Sequence, residues 1–112
     1  MNLIDSLLME FTHEAGLTRK MLERVPDGHT DWRPHEKSMT LGRLAAHLAE
    51  IPGWVDPTLN LPGLDLSGYK PTEIGTAREN LALFDSNVEQ AKGAMPGKSN
   101  QDLMVPWALC MG

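Results

Sequence analysis

Between Leu3 and Val25 the positions Ile4, Leu7, Leu8, Phe11, Ala15, Thr18, Leu22 and Val25 fall on one face at about 100° per residue. That pattern predicts an amphipathic helix, ended by Pro26-Asp27-Gly28. A second helix is predicted from the N-cap Thr40 through Leu41, Leu44, Ala45, Leu48, Ile51 and Val55, with Pro52 kinking it or ending its regular part. The third is the clearest. Thr76-Ala77-Arg78-Glu79 fits a capping box, and Ile74, Ala77, Leu81, Phe84, Val88, Ala91 and Met95 recur at steps of three and four before Pro96-Gly97. Residues 27–38 read as a connecting loop that Trp32 pins down, and residues 56–71, rich in Pro and Gly with leucines among them, as a long loop of the kind that lines sites. Residues 99–112 carry no further periodic segment. Gly16 lies inside the first helix, where it marks either a close backbone approach or nothing.

These stripes predict an all-α, up-down helical bundle in one domain over residues 1–112, with the long second connection acting as a crossover. Composition agrees: Leu, Met and Ala far outnumber the β-branched Val and Ile that strands favour. Three amphipathic helices make a thin core, so a fourth helix or a second copy of the chain is expected to cover it. Ten basic against fifteen acidic residues give a net charge of -5, which argues against nucleic acid as a partner. The single cysteine, Cys110, has no internal disulfide partner, no charged-then-apolar leader opens the chain, and no apolar run reaches the roughly 20 residues of a membrane span. A cytoplasmic protein is expected, with no membrane partner.

The chain lacks a Gly-rich phosphate loop, a Gly-x-Ser-x-Gly elbow, a Cys-x-x-Cys pair and a His-Glu-x-x-His helix. Four histidines remain. His47 sits about 90° from the centre of the second helix's stripe, a border position from which a neutral imidazole can meet donors on a facing helix. The competing reading is a half-buried imidazole hydrogen-bonded to a neighbour, since one ligand does not make a site. Glu50, one turn on, is placed to orient His47 or to ligate, or else to be solvated. Trp54 is a loop anchor or the wall of a pocket. Glu10-x-x-His13 faces away from the first stripe, which disfavours a di-iron carboxylate bundle, and nothing selects His29 or His35 in their loop. Cys110 reads as an inert thiol.

The run Asp31-Trp32-Arg33-Pro34, then residues 38–50 (SMTLGRLAAHLAE), then Trp54, resembles the DinB-like superfamily of metalloenzymes, which includes the bacillithiol and mycothiol S-transferase-like proteins. Asn80-Leu81-Ala82-Leu83-Phe84-Asp85 and the stretch from Asp102 to Trp107 are similar to it as well, so the resemblance covers nearly the whole chain. It implies a four-helix bundle, a homodimer, and a divalent metal (Zn, Ni or Fe) held by three histidines, the first of which maps onto His47. It further implies a thiol-dependent S-transferase, using a low-molecular-weight thiol, or a metal-dependent hydrolase. The family's other two ligands come as a His-x-x-x-His pair on a last helix, and this chain has no such pair. The expectation is therefore a bundle with three helices visible and the fourth absent. The alternative is a non-catalytic helical module for dimerisation or ligand binding that has lost the metal site.

Overall fold

The chain is mostly helical, and the computed structural model describes residues 2–110. Its elements run α1 (Leu3–Leu22), α2 (Leu41–Glu50), a 3-10 turn (Ile51–Trp54), α3 (Val55–Asn60), β1 (Gly63–Asp65), α4 (Ala77–Ala94), a second 3-10 turn (Asp102–Met104) and β2 (Ala108–Cys110). The capping box expected at Thr76 is present in both directions. The Glu79 N–H donates to Thr76 Oγ1 and the Thr76 N–H to Glu79 Oε1, each at 3.1 Å, which satisfies two donors that a helix start leaves unpaired. At α2 the Thr40 hydroxyl accepts from the Arg43 N–H at 3.1 Å, again as the sequence predicts. The Asn2 side chain makes no capping bond to α1. Instead the Leu3 N–H donates to Asn100 Oδ1 at 2.7 Å, so the segment after α4 closes the start of α1.

Leu22 of α1, Ala45 and Ala49 of α2, and Phe84 and Val88 of α4 form the core, with Phe11, Ala15, Leu48 and Leu81 packed against it. The alanines on α2 let α4 approach closely enough for Phe84 to fill the space between the helices. Arg19 clamps α1 to α4 through a two-pronged ion pair with Asp85, Nε to Oδ1 at 2.9 Å and Nη2 to Oδ2 at 3.0 Å.

Several expectations need correction. The first helix stops at Leu22, so Val25 lies in the turn that follows, and Leu7 is exposed rather than buried. At Pro52, by contrast, one of the two expected outcomes holds: the regular part of the helix ends at Glu50, and Pro52 sits at the start of a 3-10 turn, where its missing N–H costs no bond. Residues 56–71 are not wholly loop: they contain most of α3 and all of β1. Nor is the chain all-α, because β1 and β2 pair as a two-stranded parallel ribbon in the register Gly63 to Ala108, Leu64 to Leu109 and Asp65 to Cys110. Trp32 does not pin the first loop with its ring, which is 58% exposed. Backbone bonds do that work, from the Leu41 N–H to Trp32 O at 2.7 Å and from the Gly42 N–H to Thr30 O at 3.0 Å. Among the described residues no helix is long and apolar enough to cross a membrane.

Candidate functional site

One flank of α2, beside its alanine face, carries Arg43, His47 and Glu50, spaced four and three residues apart and so one above another along the helix. Residues 69–72, from the connection between β1 and α4, close over this row. Glu50 is the centre of the arrangement, with its side chain only 10% exposed. Its Oε1 accepts from the Tyr69 hydroxyl at 2.7 Å and lies 3.0 Å from His47 Nδ1. Its Oε2 accepts from the Thr72 N–H at 3.0 Å and from the Thr72 hydroxyl at 2.7 Å. Arg43 holds Thr72 from the other side, with Nη2 donating to the Thr72 carbonyl at 2.6 Å.

Burial alone would push the Glu50 carboxyl up, but the bonds from Tyr69, Thr72 and His47 outweigh it and pull the group down to about 2 from an ordinary value of 4.5. Glu50 is therefore a carboxylate whose acceptor positions are all taken from within the chain. The Tyr69 hydroxyl is correspondingly pushed up by its bond to Glu50. His47 presents a 42% exposed side chain, and Nδ1 makes its only hydrogen bond among the described residues.

Trp54 meets the Tyr69 ring edge-on, with centroids 6.1 Å apart and planes at 60°. Beside them opens a cavity of about 360 Å³, lined by Trp54, Tyr69, Leu64 and Leu83 and by the polar side chains of Glu50, Thr72 and Asn87. Asn87 reaches from α4 to donate to the Ala49 carbonyl at 3.0 Å, one of the carbonyls a helix end leaves unpaired. Gly53 makes room for it, since a Cβ there would stand 3.2 Å from Asn87 Oδ1.

The three residues singled out in the sequence, His47, Glu50 and Trp54, thus come together, with Glu50 as the link. The solvated alternative for Glu50 does not hold. His13, His29 and His35 are exposed, as is Cys110 on β2. Among the described residues no group of three His, Cys, Asp or Glu side chains could hold a metal ion. The donors at hand are one imidazole and a saturated carboxylate, which by themselves do not fit the three-histidine site implied by the resemblance. Sequence reasoning missed Tyr69, Thr72, Arg43 and Asn87. The spacing of Arg43 with His47 and Glu50 was a readable signal, but nothing local marks which loop residues meet a helix 19 or 22 positions away. Comparison of the chain with protein-family models, with curated proteins and with solved structures finds no match.

Proposed function

We propose that this chain is a DinB-like, cytoplasmic, divalent-metal-binding protein of the four-helix-bundle class, with His47 as one ligand to Zn, Ni or Fe and with further donors that the described residues do not supply. The observation that carries the reading is the bond between His47 Nδ1 and Glu50 Oε1 at 3.0 Å. A metal-ligating histidine almost always has its second ring nitrogen bonded to a carboxylate or carbonyl, which leaves the other nitrogen's lone pair for the metal. The His47 side chain is half-buried, and among the described residues its Nε2 has no hydrogen-bond partner that would compete for such a role. Reaction classes consistent with this reading are thiol-dependent S-transfer and metal-dependent hydrolysis. A homodimer belongs to the same reading, supported by the apolar surface that a single copy leaves uncovered.

The test is metal content after loading with Ni²⁺, Zn²⁺ or Fe²⁺, comparing the purified protein with its His47→Ala variant. The variant is expected to lose the bound metal, and equal content in both sinks the assignment. A second reading, a helical module that binds a small ligand without catalysis, draws on the cavity beside Trp54 and Tyr69 and on the saturation of Glu50. It takes precedence if the unaltered protein retains no metal.

A further inference from the structure

A carboxylate on an imidazole decides which ring nitrogen carries the proton, and here the carboxylate is itself held by the connection between β1 and α4. A carboxylic acid is ordinarily a stronger acid than an imidazolium, so the proton shared between Glu50 Oε1 and His47 Nδ1 stays on nitrogen. Neutral His47 is then the Nδ1–H form, with its lone pair on Nε2. Glu50 has no freedom to rotate away from this role. Turning its carboxylate would break the Tyr69 bond on one oxygen or the two Thr72 bonds on the other.

We infer that Tyr69 and Thr72 are positioning residues which act through Glu50 to fix His47 in the Nδ1–H tautomer, so that the connection after β1 controls whether Nε2 offers a lone pair. The inference deepens the metal-ligand reading, on which its functional consequence rests, but the tautomer is measured without any metal. One result follows from donor arithmetic alone. In Glu50→Gln the side chain has one acceptor oxygen, and the Thr72 backbone N–H can only donate, so the oxygen takes the Oε2 position. The amide NH₂ then occupies the Oε1 position and donates to Nδ1, while the Tyr69 hydroxyl turns to accept. Neutral His47 must switch to the Nε2–H form, with its lone pair facing inward.

The experiment is long-range ¹H–¹⁵N NMR of the metal-free protein in alkaline buffer, where imidazoles are neutral. The ring signals are assigned by their loss in His47→Ala. The unaltered protein is expected to favour Nδ1–H by about tenfold or more, the scale set by one charge-assisted hydrogen bond. Glu50→Gln is expected to invert that preference. Thr72→Val and Tyr69→Phe, which each remove one hydroxyl donor, are expected to shift the population toward Nε2–H, and Thr72→Ser to restore it. A purely structural role for these residues would change the melting temperature without moving the tautomer. An unaltered protein in the Nε2–H form, or a Glu50→Gln variant that folds and keeps Nδ1–H, overturns the inference. Should Glu50→Gln fail to fold, an unmoved tautomer in both Thr72→Val and Tyr69→Phe does so. Failure to bind metal with the tautomer as expected would instead count against the proposed function alone.

Discussion

Glu50 shows how one residue is made to cost little in an unfavourable place. Burial disfavours its charge, and donors from Tyr69, Thr72 and His47 reverse the balance. Because the folded value lies near 2 and the ordinary value is 4.5, the folded state binds this proton less readily than the unfolded chain. The resulting stability is fully present above about pH 4.5 and is lost as pH falls through about 2, with a ceiling of about 3 kcal/mol. Acid titration of the folding free energy should show this loss in the unaltered protein and a clearly smaller one in Glu50→Gln. Identical acid limbs in the two would show that Glu50 is not held as described. From the sequence, Glu50 was legible as a neighbour of His47 one turn away. That it is a buried hub was not, because its partners Tyr69 and Thr72 belong to a segment whose path no local pattern dictates.

At the scale of elements, helix starts were read correctly wherever the signal is local. Thr40 and Thr76 each bond a backbone N–H three residues on, so a few consecutive side chains contain the whole argument. In residues 56–71 proline does not mark loop throughout. Pro57 lies in the first turn of α3, where a missing N–H is harmless, so it starts structure there instead of breaking it. The β1–β2 ribbon was out of reach because its pairing is parallel and joins residues some 45 positions apart, as Gly63 and Ala108 are. The glycines divide in the same way. A Cβ on Gly42 would lie 2.7 Å from Thr30 Cβ and 2.8 Å from Ile74 Cγ2, whereas one on Gly16 meets nothing within 4 Å. Gly42→Ala should therefore destabilise by about 1–3 kcal/mol through overpacking. Gly16→Ala should stabilise by up to about 1 kcal/mol through helix propensity. Chemical denaturation of the two variants side by side checks the opposite signs, and matching signs would contradict the close approach at Gly42.

The whole molecule exposes more than its size requires. Its accessible surface is 7799 Å², against about 6,100 Å² for a folded monomer of this mass, and its radius of gyration is 15.8 Å, against about 13 Å for a compact domain of this length. The surplus exceeds the roughly 800 Å² that each partner buries in a standard interface. Part of it is apolar: Leu3, Leu7, Leu44 and Ile51 are each 44 to 57% exposed, and Leu7 and Ile51 border an open cavity of about 310 Å³ that continues over Val55 and Leu59. A second copy laid on this face follows from the proposed homodimer. Sedimentation equilibrium at tens of micromolar should give a dimer mass, and a Leu7→Asp, Ile51→Asp double variant should give a monomer with its helices retained. A monomer at all concentrations for the unaltered protein would remove this expectation.

Apolar periodicity and capping chemistry by themselves determined that the chain is helical, where α2 and α4 begin, and that His47 lies on a helix border with Glu50 one turn away, because each of these is settled within a few turns of backbone. Only the tertiary structure decided that Glu50 is buried and saturated, that Tyr69 and Thr72 hold it, and that a cavity opens beside Trp54 and Tyr69. The physical reason is chain closure. Which loop side chain reaches a helix about twenty residues away depends on the path of the intervening backbone, and that path is set by the packing of α3, β1 and β2 rather than by any pattern in the loop itself.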